Sequence, residues 1–158
     1  MCVLTYVLGA PGSGKTAVAP LLRRVLPACV VLDWDAYMSP ASELAGRDVR
    51  RDRSMWLGYR RLVRAVVDTI HPAPLVVLGV CTPAELSDWP IDAWILLDCT
   101  DAEQRRRLAS DNELTDVDDA VADAAHYRAL GLRVIDTTNR TPQTVADELA
   151  RAIREVEA

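Results

Sequence analysis

The sequence predicts a three-layer α/β/α fold, with helices on both faces of a five-stranded parallel sheet. Three observations carry this expectation. Five short apolar runs, rich in Val, Leu and Ile and bounded by Gly, Pro or Asp, recur along the chain. Stretches of helical apolar spacing separate them, which is the pattern of a doubly wound sheet. Half of the residues are hydrophobic and only 5% are aromatic, a mix suited to stacked layers of helix and sheet. The 158 residues suffice for one domain spanning 1–158 and are short for two.

In chain order, Val3–Leu8 reads as the first strand. Lys15–Leu26 follows as a helix whose inner face carries Val18, Leu21, Leu22 and Val25. Cys29–Leu32 reads as the second strand. The polar segment 39–54 is expected to be a mobile loop and a candidate acceptor-binding flap. Met55–Ile70 repeats Leu57, Leu62, Val66, Val67 and Ile70 at helical spacing, with arginines opposite. Leu75–Val80 and Trp94–Leu97 read as the third and fourth strands. Ala102–Ala109 is a short helix, and 110–116 is a second polar loop and a candidate short lid. Val117–Leu130 is an alanine-rich, acidic helix, and Arg133–Ile135 the fifth strand. Thr141 and Pro142 open the last helix as N-cap and first-turn proline, with Val145, Leu149, Ile153 and Val156 inward.

Charge and cysteine usage exclude several functions. The 23 acidic residues against 18 basic ones give a net charge of −5, which speaks against a nucleic-acid surface. The cysteines, Cys2, Cys29, Cys81 and Cys99, form no C-x-x-C pair, and two histidines, His71 and His126, do not furnish a zinc site. Buried, reduced thiols are expected. No apolar run is long enough to span a bilayer and the start lacks a charged leader, so a cytoplasmic protein without membrane contact is expected.

The chemistry concentrates after the first strand. Gly9-Ala10-Pro11-Gly12-Ser13-Gly14-Lys15-Thr16 matches G-x-x-x-x-G-K-[ST] in full, between a strand and a helix. Glycines let backbone N–H groups close on phosphate oxygens, and the helix aims its positive end at the same anion. Thr16 offers a hydroxyl to Mg²⁺. Lys15 is the only lysine, the other 17 basic residues being arginines. A compact ammonium on a thin stem reaches between phosphates where a guanidinium fork is too broad. ATP and Mg²⁺ are the ligands expected, and the fold becomes a P-loop NTPase fold.

Asp33 and Asp35 follow at the carboxyl edge of the second strand, where open α/β sheets bind ligands. Their spacing places both side chains on one side of an extended segment, with Trp34 pointing away. One carboxylate suits Mg²⁺ and the other suits a substrate hydroxyl, whose proton it accepts. Strand-end capping is the simpler alternative for either.

The phosphate loop followed by Asp33-Trp34-Asp35 resembles the small P-loop kinases, in particular the shikimate and gluconate kinase group. The ending "YRALGLRVIDTTNRTPQTVADELARAI" is similar to that of shikimate kinases. The resemblance implies that Lys15 and Thr16 hold phosphate and metal, that Asp33 serves the metal, and that Asp35 serves the acceptor hydroxyl. It implies that Arg60 pairs with an anionic acceptor, that Gly79 brings backbone beside the substrate, and that Arg107, Asn139 and Arg140 frame the adenine.

The chain also departs from that group. Its members usually carry a lid arginine, whereas "SDNELTDVDDA" holds no basic residue, leaving Arg105 or Arg106 to supply the charge. A second substrate-binding arginine is replaced by Asp123. Arg47, Arg50, Arg51 and Arg53 cluster in the flap, either on an anionic group or simply in solvent. Trp34 and Trp56 either wall the acceptor pocket or pack in the core, and His71 and His126 are expected to be structural. The expected activity is transfer of the ATP γ-phosphate to a hydroxyl of a small molecule, by a monomer or homodimer. A nucleoside or nucleotide kinase and a non-catalytic ATP-binding module are the alternatives.

Overall fold

A computed structural model describes residues 3–110 and 115–157. Five strands form one sheet: β1 (Leu4–Leu8), β2 (Val30–Asp33), β3 (Leu75–Gly79), β4 (Ala93–Asp98) and β5 (Arg133–Asp136). They lie in the order β2-β3-β1-β4-β5, and every pairing is parallel. The helices are α1 (Lys15–Val25), α2 (Met38–Ala45), α3 (Trp56–Ile70), α4 (Asp101–Ala109), α5 (Val117–Arg128) and α6 (Pro142–Glu157). The expected three-layer fold is the one observed.

Alternation along the strands divides the interior into two cores. Leu4, Tyr6 and Leu8 of β1, with Leu75 and Val77 of β3, pack against Tyr59, Val63 and Val67 of α3 and against Ala124 and Tyr127 of α5. Val7, Val76 and Leu78 face the other way, onto Val18 and Leu22 of α1 and Val145, Leu149 and Ile153 of α6. Both faces of the central strands are therefore dry, which is why these runs carry no polar alternation.

Register aligns the functional edge. Leu8 pairs with Gly79, and Asp33 with Leu78, so the ends of β1, β3 and β2 lie side by side. The Gly9 amide donates to the Gly79 carbonyl at 3.1 Å, clamping the loop after β1 to its neighbour. That loop opens at the middle of the sheet, where connections leave in opposite directions.

Several expectations are corrected. Segment 39–54 is not an open loop throughout: α2 occupies its first part, and a 3-10 turn, Arg53–Met55, closes it. The α2 helix escaped notice because it is eight residues long and anchors inward through Met38 and Ala41 alone. In α3 the buried spacing is Tyr59, Val63 and Val67, while Leu57 and Leu62 are 50% and 46% exposed. On α6 the inner stripe ends at Ile153, and Val156 is 38% exposed. Thr141 caps α6 as expected, accepting from the Thr144 amide at 3.2 Å. Cys81 and Cys99 are buried and reduced, Cys29 is half-buried, and Cys2 lies outside the described residues. Among the described residues no helix is long and apolar enough to cross a membrane.

Gly79 supplies a test of this packing. A Cβ there would collide with the Tyr6 phenol and lie 3.2 Å from the Trp34 Cβ. Gly79→Ala is expected to destabilise the fold by about 1–3 kcal/mol through overpacking. A urea midpoint equal to that of the wild type would show that Tyr6 moves aside freely.

Candidate functional site

The site is built on the first turn of α1. Gly12 and Gly14 adopt positive φ, 81° and 102°, which residues with a Cβ rarely tolerate. Gly14 stands at the N-cap position and no side chain caps the helix. The first-turn amides thus have no partner within α1, and Gly14, Lys15, Thr16 and Ala17 all line one cleft. A helix start left open toward a cavity favours an anion there.

Three side chains outside the motif fix the loop from behind. The Gln104 amide donates to the Pro11 carbonyl at 2.8 Å. The Thr137 hydroxyl donates to the Ser13 carbonyl at 2.9 Å. Arg107 donates to the Gly12 carbonyl at 3.2 Å. In a planar trans peptide the next N–H points opposite to the carbonyl. Holding the Pro11 and Ser13 carbonyls outward therefore turns the Gly12 and Gly14 amides toward the inside of the loop.

Lys15 is only 6% exposed, and its ammonium donates to the carbonyls of Gly9 and Ala10, the latter at 3.1 Å. Burial pulls its pKa below the usual lysine value, while Asp35 and Asp33 pull it back. The cation is thus held in place by the loop, within the field of two carboxylates. Thr16 is exposed on the cleft.

The two aspartates differ from the extended arrangement expected of them. Strand β2 ends at Asp33, and Trp34–Tyr37 form a 3-10 turn. Asp33 is buried and accepts the Asp35 amide at 3.1 Å, so it caps that turn. Burial raises its carboxyl above the usual range, with the Asp35 charge adding to this against the Asp35 amide and Lys15. Asp35, carried round by the turn, lines the cleft. Trp34 is fully buried among Trp56, Tyr59 and Trp89, with ring centroids 5.8–6.0 Å away. It packs in the core, and Trp56 is the tryptophan on the cleft wall.

The cleft holds about 730 Å³ and is lined by Lys15, Thr16, Asp35, Trp56 and Arg107, with Asp48, Arg50 and Arg51 of the flap. Other expected site residues are directed elsewhere. Arg60 donates to the Glu85 carbonyl at 2.8 Å, and the open side of Gly79 faces Tyr6. Arg140 bonds the Asp136 carbonyl at 2.9 Å and pairs with Glu148. Asn139 is exposed at φ 51°, and neither it nor Arg140 lines the cleft. Arg105 pairs with Asp118, and Arg106 with Glu103, each at 2.8 Å, so neither points a free charge at the site. Of the lid, Thr115 lines the cleft and Asp116 caps α5, whereas residues 111–114 lie outside those described. His71 ends α3 and His126 is exposed on α5. Among the described residues no cluster of three His, Cys, Asp or Glu side chains could hold a metal ion by itself.

No family model matches the sequence, and no curated protein matches it. Solved structures do. The chain is similar to the tunicamycin resistance protein of Deinococcus radiodurans at 20% identity and TM-score 0.69, over 97% of this chain and 96% of that one. It is similar to shikimate kinase from Acinetobacter baumannii, solved with shikimate, at 17% identity and TM-score 0.67, over 98% and 94%. A gluconokinase from Sinorhizobium meliloti matches at 13% identity and TM-score 0.67, over 98% and 93%. The fold is therefore that of the small P-loop kinases.

Glu103 makes the support network testable. Hydrogen bonds from Arg106, then from Arg107, lower its pKa to about 2. A carboxyl lowered on folding stabilises the protein above its ordinary pKa, and that contribution fades as pH falls toward 2. Glu103→Gln is expected to lower the urea midpoint at pH 7 and to flatten its fall between about pH 4.5 and 2. Parallel pH curves for wild type and variant would remove Glu103 from this role.

Proposed function

We propose that the chain is a Mg·ATP-dependent kinase that transfers the γ-phosphate to a hydroxyl of a small-molecule acceptor. One observation carries the reading: the uncapped start of α1, the buried Lys15 ammonium and the Asp35 carboxylate face a single cleft. In this reading the amides of the Gly9–Thr16 loop and Lys15 bind the β- and γ-phosphates of ATP, and Arg107 flanks the nucleotide beside Gly12. In the same reading Thr16 and Asp33 would hold magnesium, with its remaining ligands drawn from phosphate and water; Thr16 is exposed on the cleft, whereas Asp33 is buried and does not line it. The ion, when bound, supplies positive charge to the phosphate oxygens.

Asp35 acts on the acceptor. The hydroxyl oxygen forms a bond to γ-phosphorus, its proton passes to the Asp35 carboxylate, and the bond to the bridging oxygen breaks with its electrons leaving on ADP. The acceptor is sugar-like, nucleoside-like or a natural product, and neutral or cationic. Two observations support that charge preference. Arg60, expected to pair with an anionic acceptor, is engaged by the Glu85 carbonyl, and Asp123 stands where the second substrate-binding arginine was expected. The neighbour named for tunicamycin resistance fits a natural-product acceptor. A non-catalytic ATP-binding module is favoured only by the lid sequence, which lacks a basic residue; Asp35 on the cleft favours the kinase.

ADP release is measured with MgATP alone and with pools of sugars, nucleosides and aminated natural products. Stimulation by a neutral or cationic acceptor is expected; turnover of anionic sugars only would reverse the charge assignment. Lys15→Ala is expected to abolish nucleotide binding and turnover together. Asp35→Asn is expected to preserve ATP affinity while slowing acceptor-stimulated release by about 10²–10⁴-fold. Normal turnover by Asp35→Asn would end its assignment as the base.

A further inference from the structure

A phosphoryl group in transfer spreads charge over its equatorial oxygens, and in comparable enzymes a guanidinium accounts for much of the rate. In this chain the usual candidates are committed elsewhere. Arg107 bonds Glu103, Gly12 and Thr137, Arg105 and Arg106 are ion-paired, and positions 110–119 carry no basic residue. Arg140 pairs with Glu148 away from the cleft.

The flap offers a different cation. Val49 is 2% exposed and belongs to the core cluster on the α3 side of the sheet. Its amide donates to the Ser42 hydroxyl at 3.0 Å, which in turn donates to the Met38 carbonyl at 2.7 Å. The Arg50 amide donates to the Asp48 carboxylate at 2.9 Å, tightening the same turn. The buried valine thus works as a peg that holds Asp48, Arg50 and Arg51 on the cleft wall facing Lys15 and Asp35. Arg51 pairs with the Asp48 carboxylate at 3.5 Å, whereas the Arg50 guanidinium forms no ion pair among the described residues. Tyr59 donates to the carbonyl of Trp34, fixing the turn that carries Asp35.

We propose that Arg50 is the catalytic guanidinium of this site, reaching from the flap to the oxygens of the γ-phosphoryl group as it passes from ADP to the acceptor hydroxyl. The proposal rests on the kinase reading above. It makes the flap, rather than the lid, the element that completes the catalytic charge.

The test needs no known acceptor. MgADP with aluminium fluoride imitates the phosphoryl group in transfer, and MgADP alone does not. Calorimetry compares the two on the full chain, wild type, Arg50→Ala, Arg50→Lys and Arg24→Ala, the last an exposed arginine of α1. Wild type and Arg24→Ala are expected to bind the fluoride complex more tightly than MgADP. Arg50→Ala is expected to keep MgADP affinity within about twofold and to lose at least about tenfold toward the fluoride complex, with Arg50→Lys between them. Equal losses for both ligands, no loss for either, or a wild type to which fluoride adds nothing overturns the proposal. So does an Arg50→Ala enzyme that only raises the acceptor KM, since Arg50 would then hold the acceptor. A wild type that does not bind MgADP overturns the underlying kinase reading instead. Melting temperatures check folding, and the Arg50→Lys comparison stands if the alanine variant melts early.

Discussion

The site depends on carbonyls turned outward. A loop that presents N–H groups to an anion must dispose of the opposite ends of the same peptides, and leaving them without partners would cost about 1–3 kcal/mol each. Gln104, Arg107 and Thr137 take that load, drawing α4 and the segment after β5 against the back of the loop. Glu103 in turn holds Arg107 and Arg106. The Gly9–Thr16 loop is thus shaped from behind by residues 90 or more positions away in sequence.

Charge is arranged with similar economy. Lys15 is taken out of water, which works against its own protonation, and two carboxylates offset part of that cost. Asp33 gives one oxygen to capping a turn, and the same turn swings Asp35 onto the cleft. Structural capping and a proposed catalytic role are therefore not rivals at this pair. The cap is what separates the two side chains into different surroundings.

Much of this was legible in the sequence, for identifiable reasons. Parallel strands buried on both faces produce continuous apolar runs, and the five strands, including the largely exposed edge strand β5, were visible to within a residue or so at each end. The glycines of the loop were readable because positive φ admits few other residues. The supporting shell was not. Gln104 lies in what read only as a short helix and Thr137 just after the fifth strand, neither with any sequence signal, and only folding shows that both are buried against the loop. Arg60, Asn139 and Arg140 were placed by resemblance alone, and the structure turns them to carbonyls, solvent or an ion pair. Short α2 was hidden because two apolar contacts leave no period to detect.

The anchoring of the flap by one valine has an energetic corollary. Withdrawing that side chain into water costs about 2 kcal/mol, which confines the swung-out form to a few per cent of molecules at room temperature. Trimming or enlarging that side chain would retune how firmly the flap is seated without touching any group on the cleft wall.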